Sequence, residues 1–207
     1  MNVLLLNGSP HEKGCTYTAL RAVADALNEN GVDTEMLWIG AEPVRGCIAC
    51  GSCYKKNRCT FDGDLANAVI ARMETADGLV IGSPVYYAAA NGSLTALLNR
   101  VFYAGSRSFA HKPGAAVVSA RRAGTTAALD ELNKFFTISQ MPLVTSRYWN
   151  MVHGNTPEQV REDLEGMQIL KVLGRNMAWL LRCIEAGRAA GYAPPVLERW
   201  TPTNFIR

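Results

Sequence analysis

No apolar run in this chain is long enough to cross a membrane. The first one, Val3 to Leu6, is cut off by Asn7 and Gly8, too early for a signal peptide as well. Lysine and arginine never gather into a block, and the formal net charge is only +3 over 207 residues, so nothing tracks a nucleic-acid backbone. Histidine is scarce. His11, His111 and His153 lie far apart, and no Ser-His-Asp order stands out. Gly14 is not followed by the Lys-Ser/Thr pair of a Walker A loop, and there is no G-x-G-x-x-G, so a magnesium nucleoside triphosphate and a dinucleotide pyrophosphate fit poorly. Internal repeats and dividing linkers are missing too. What is left, at 48% hydrophobic and 19% charged residues, is a single globular domain, expected to be cytoplasmic.

Five apolar strands alternate with amphipathic helices. The strands are expected at Val3–Leu6, Thr34–Ile39, Gly78–Gly82, Ala115–Val118 and Leu143–Tyr148. Thr156-Pro157-Glu158 reads as cap, first-turn proline and first-turn acid, opening one long helix over about 157–186. Its apolar face, with Met167, Leu170, Met177, Leu180 and Leu181, leaves room for a subunit interface. The tail, with Pro194, Pro195 and Pro202, reads as irregular. Strict alternation makes an α/β fold, a doubly wound parallel sheet with helices on both faces. Without a dinucleotide fingerprint, the expected form is flavodoxin-like, five strands in the order 2-1-3-4-5. Ligand then sits beyond the carboxyl ends of strands 1 and 3.

Three loops reach that edge. The first runs from Asn7 to Cys15. Ser9, Gly14, Cys15 and Thr16 end it where a helix begins, and exposed N–H groups with the helix dipole suit one phosphomonoester. An ordinary turn capped by Thr16 is the plainer alternative. The second is Ser83-Pro84-Val85-Tyr86-Tyr87. Pro84 stiffens it and the tyrosines can wall a flat heterocycle, unless they merely pack under the next helix. The third is Ser119 to Thr125. Arg121 and Arg122 can meet a ring carbonyl or a nicotinamide nucleotide phosphate, or stay solvated, while Gly124 and Thr125 read as turn and cap.

Gly8-Ser9-Pro10 with Gly14-Cys15-Thr16, Gly82 to Tyr87, and Asn91-Gly92-Ser93-Leu94 together resemble the NADPH-dependent FMN reductase family. Cys47-x2-Cys50-x2-Cys53-x5-Cys59 is similar to the compact motif of its iron–sulfur flavoprotein branch. The resemblance implies FMN, a nicotinamide donor (NADH or NADPH), and a homodimer or homotetramer whose neighbouring subunit helps close the flavin site. It also implies that Ser9, Gly14, Cys15 and Thr16 hold the FMN phosphate. Pro84, Val85, Tyr86 and Tyr87 would line the ring, and Ser119, Arg121, Arg122 and Gly124 would approach it. Cys15 departs from the Asn or Ser often found there, a weaker donor in the same place. No residue is assigned as a catalytic acid or base, because hydride transfer to a flavin needs none.

The cysteine-rich loop, 43–60, has three readings. Its four thiols suit one 4Fe–4S cluster, with Gly46 and Gly51 allowing sharp bends. Zinc, or unliganded redox thiols, are the others. A cluster placed after strand 2 is expected at the same sheet edge as the flavin. It would relay electrons from a ferredoxin-like or small-molecule partner. The competing functional classes are a flavodoxin-type electron carrier, disfavoured by the positive charge, and a zinc-stabilised regulator on the same fold.

Overall fold

The computed structural model describes residues 1–199, 201 and 203; Pro202 lies outside the described residues. A parallel sheet is built from β1 (Asn2–Asn7), β2 (Asp33–Trp38), β3 (Gly78–Tyr86), β5 (Gly114–Ala120) and β6 (Met151–His153). They lie side by side in the order β2-β1-β3-β5-β6. Leaving out the short β4 (Ala89–Ala90), which pairs antiparallel with β3, this is the expected 2-1-3-4-5 order.

The alternation of β1 explains the two covered faces. Leu4 and Leu6 pack with α3 (Ala66–Thr75), α4 (Gly92–Gly105) and α5 (Thr125–Ile138). Val3 and Leu5 point the other way, to α1 (Cys15–Glu29) and α7 (Leu164–Ala189). All four are fully buried. Each such side chain is worth roughly 1.5–3 kcal/mol of burial, so β1 contributes to the core on both faces of the sheet.

Two expectations need correction. The last strand is not Leu143–Tyr148. Leu143 makes one isolated bridge to Gly114, and pairing resumes only at Met151. Between them the chain leaves the sheet. Asn150 Nδ2 donates to the Ala116 carbonyl of β5 (3.1 Å), an acceptor that a strand's own amide would fill, and Ser146 Oγ donates to the Ile169 carbonyl of α7 (2.7 Å). The long last helix is also two helices, α6 (Pro157–Glu162) and α7, broken at Asp163. Asp163 leaves helical geometry to cap α7, accepting from Gly166 N (3.0 Å), and its other oxygen accepts from His153 N (2.7 Å). The break ties the end of β6 to the start of α7. Leu170, Met177 and Leu181 are core residues; the large exposed apolar side chains of α7 are Leu164 and Trp179.

Candidate functional site

Loops one, two and three meet at the carboxyl edge of the sheet. Gly82, at the end of the buried part of β3, lets the first turn of α1 lie against it. A Cβ there would stand 2.7 Å from Leu20 Cδ1 and 2.9 Å from Thr16 Cγ2. The N-cap of α1 is Gly14, which has no side chain to close the helix end. The first-turn N–H groups, with no partner inside a helix, therefore point out of it as an anion cradle.

Buried neutral hydrogen bonds hold this edge together. Ser9 N donates to Asn7 Oδ1 (3.1 Å), and His11 N to Ser9 Oγ (3.1 Å). Trp38 Nε1 donates to the Ser9 carbonyl (2.8 Å), which anchors loop one to β2. The Thr16 and Ser119 hydroxyls lie 2.8 Å apart and tie loop one to loop three. One such bond uses one of their two protons, so one hydroxyl proton stays uncommitted. Asn91 was legible only as part of a motif, yet it is the hub. Its Nδ2 donates to the Gly8 carbonyl (2.7 Å), its Oδ1 caps α4 by accepting from Ser93 N (3.1 Å), and its N–H donates to Ser83 Oγ (2.9 Å).

The second loop is a β-hairpin. Val85 pairs with Ala90 and Tyr86 with Ala89, and Tyr87 and Ala88 form the tip, at φ of 51° and 60°. Both tip residues adopt the left-handed geometry of a type I′ turn without being Gly or Asn, each at a cost of order 1–2 kcal/mol. Two contacts hold it. Ala90 N donates to Glu131 Oε2 (2.8 Å) from α5. Ala88 rests on Gly124, itself at φ 92°, where a Cβ would stand 2.8 Å from Ala88 Cα. Pro84 and Val85 are half-buried in this hairpin, Tyr86 is exposed, and Tyr87 stands wholly in solvent. Arg121 and Arg122 are exposed beside it, and among the described residues neither makes a salt bridge. The Cys15 thiol lies 3.8 Å from the Gly154 carbonyl. Burial, with Glu158 nearby, pushes it above the usual thiol range.

The fit to FMN is good on these residues. An uncapped helix end suits one phosphate, and a stiff hairpin with exposed tyrosines touches, at Gly124, the loop that carries the two exposed arginines. The residue types complement an anionic tail and a flat polar ring.

The cysteine lobe packs against α4. Cys47, Cys50, Cys53 and Cys59 line one cleft, but its far wall is Arg100, Tyr103 and Ala104 of α4. Arg100 lies eight residues past the start of α4, about 12 Å at 1.5 Å per residue. The lobe thus packs along α4, and Arg100 reaches it about two turns into that helix. A short helix, α2 (Cys53–Lys56), and left-handed residues Ala49, Gly51 and Asn57 shape it. Ala49 N donates to Cys47 Sγ at 3.5 Å. Burial raises Cys53 above the usual thiol range, and the neighbouring Cys50, Cys47 and Cys59 add to this. Hydrogen bonds from Ser52 lower Cys50. Among the described residues no three His, Cys, Asp or Glu side chains meet closely enough to hold one metal ion.

Comparison with known proteins decides the family. The model of the NADPH-dependent FMN reductase family matches residues 1–156, three quarters of the chain and all three loops. The chain belongs to the NADPH-dependent FMN reductase family. Among relatives of this reductase, an iron–sulfur flavoprotein of Methanocaldococcus jannaschii is 27% identical over 198 residues, covering 89% of this chain and 100% of that one. Another from Methanosarcina thermophila is 27% identical over 192 residues, covering 91% and 99%. An NAD(P)H:quinone oxidoreductase from Methanothermobacter marburgensis shares the fold at a TM-score of 0.62 and 19% identity, over 86% of this chain and 96% of that one. Among the described residues, no helix of the reductase is long and apolar enough to cross a membrane.

Proposed function

We infer that this chain is an FMN-dependent NAD(P)H oxidoreductase that passes electrons through its flavin to an acceptor. The observation that carries the reading is the uncapped start of α1 with three loops bonded around it. Bound there, FMN supplies a ring that accepts a hydride and returns electrons singly or in pairs. The protein supplies the rest. The amides of Cys15 and Thr16, with Ser9, Gly14 and the Thr16–Ser119 hydroxyl pair, would hold the phosphate. Pro84 to Tyr87 would orient the ring by the rigidity of the hairpin. Arg121 and Arg122 would draw in the nicotinamide nucleotide, NADH or NADPH. Gly124 lets the hairpin and the third loop touch.

We assign Cys47, Cys50, Cys53 and Cys59 to a 4Fe–4S cluster. Four thiols line one cleft, and backbone and arginine N–H groups point at two of the sulfurs. One zinc ion would need all four sulfurs within about 2.3 Å of a point. In a cubane each thiolate meets its own iron, so the ligands stand further apart. The lobe would exchange electrons with a ferredoxin-like or small-molecule partner. The same reading puts the protein in the cytoplasm, where thiols stay reduced, and makes it a homodimer or homotetramer. The exposed Tyr87, with Leu164 and Trp179 on α7, favours assembly.

The test is release and chromatography of the bound flavin after reconstitution, followed by NAD(P)H oxidation under anaerobic conditions. FMN with flavin bleaching by a nicotinamide is expected. Stoichiometric FAD, or no flavin, counts against the reading.

A further inference from the structure

Arg100 is the largest fully buried side chain in the described protein, with its side chain 1% exposed. Every nitrogen of its guanidinium is engaged. Nη1 pairs with the Asp64 carboxylate and donates to the Arg45 carbonyl (3.2 Å). Nη2 donates to the Phe61 carbonyl (3.2 Å). Nε points at Cys59 Sγ, 3.3 Å away. Two guanidinium groups lie near the Phe61 ring, that of Arg45 at 4.6 Å and that of Arg100 at 5.6 Å from its centre. Asp64 also accepts from Ala66 N (3.0 Å) and so fixes the start of α3. A buried arginine costs several kcal/mol to desolvate and persists only where partners repay it. Structural tethering of loop to helix explains the contacts to Asp64, Arg45 and Phe61. It does not explain an N–H aimed at a sulfur. A donor and a fixed positive charge there favour added negative charge nearby.

We propose that Arg100 positions the Cys59 thiolate as a cluster ligand and raises the reduction potential of the cluster held there; this rests on the 4Fe–4S reading above. Reduction adds one electron, and hence one negative charge, to the cluster, and hydrogen bonds to its sulfurs favour that state. Asp64 works against it. Its carboxylate neutralises part of the arginine charge while holding the fork in place.

The test uses anaerobically reconstituted holoprotein, titrated potentiometrically, with the reduced cluster followed by electron paramagnetic resonance. Arg100→Gln should lower the equilibrium constant for cluster reduction about tenfold, which is about 59 mV for one electron. Arg100→Lys should recover part of that. Asp64→Asn should shift the constant the other way, because it removes a negative charge and leaves the cation. A purely structural tether would not give opposite signs for the two partners. Shifts in the same direction, or none, overturn the proposal. If Arg100→Gln holds no iron, Asp64→Asn decides it: a raised potential supports the proposal, and an unchanged or lowered one overturns it. Wild-type protein without iron or sulfide after reconstitution overturns the cluster reading and the proposal with it. Wild-type protein that holds iron, with potentials unmoved in the variants, overturns the proposal alone.

Discussion

The carboxyl edge of the sheet and the cysteine lobe are built on opposite plans. At the edge, loops are joined by neutral bonds among buried groups: Thr16 to Ser119, Asn91 to Gly8, Ser9 to Asn7. Its free charges, Arg121 and Arg122, stay outside that framework. In the lobe the order is reversed. The thiols of Cys47 and Cys50 are exposed, and a buried ion pair, Arg100 with Asp64, fastens the loop to α4. A framework of neutral bonds is complete before a ligand arrives. A lobe of free thiols is completed by what they bind. The edge therefore reads as a preorganised cradle, and the lobe, on the 4Fe–4S reading proposed above, would be completed by its metal.

The sharpest way to break this contrast is to remove one ligand from the lobe. Cys53→Ser should lose most of its iron and sulfide, while FMN stays bound and the fold melts cooperatively. Loss of flavin along with iron would show that the two regions are one unit. The next largest effect belongs to the hub of the edge. Asn91→Ala removes two side-chain hydrogen bonds and strands the Gly8 carbonyl, at about 2 kcal/mol. FMN, measured by recovery of its fluorescence, should bind about thirtyfold more weakly, with iron content unchanged.

Smaller effects come from groups outside the framework. Replacing Arg121 and Arg122 together with Ala should cost roughly 1–3 kcal/mol of transition-state stabilisation, read in kcat/KM for the nicotinamide. Stability should hardly move, since exposed charges contribute little to it. Unchanged reduction kinetics would return both arginines to solvation alone. Smallest is Glu131→Gln, which weakens the bond that holds the hairpin at Ala90. About 1 kcal/mol in thermal unfolding is expected, with reduced protection of the Tyr87–Ala88 tip in hydrogen exchange.

The contrast also separates what the sequence revealed from what it hid. The first four sheet strands, their order and the three loops were readable because apolar runs and breakers stand next to each other along the chain. Met151–His153 was missed because the apolar residues before it read as strand, while Asn150 and Ser146 use their side chains to leave the sheet. The hairpin was read as a loop because Tyr87-Ala88 carries none of the Gly or Asn that marks a left-handed turn. Asp163 looked like an ordinary polar position of a helix, and only its bond to His153 N shows why the helix breaks there. Arg100 gave no signal, since its acid partner lies 36 residues earlier and the sulfur it faces 41. The packing of the lobe on α4 was hidden for the same reason.

The most direct measurement is flavin, iron and sulfide content on one anaerobic preparation, before and after iron is stripped with a chelator and then restored. The account predicts about one FMN and about four irons per chain at the start, FMN retained when the iron is gone, and iron recovered on reconstitution. FMN lost together with the iron would contradict the preorganised cradle. FMN present with no iron or sulfide, even after reconstitution, would contradict the metal-dependent lobe.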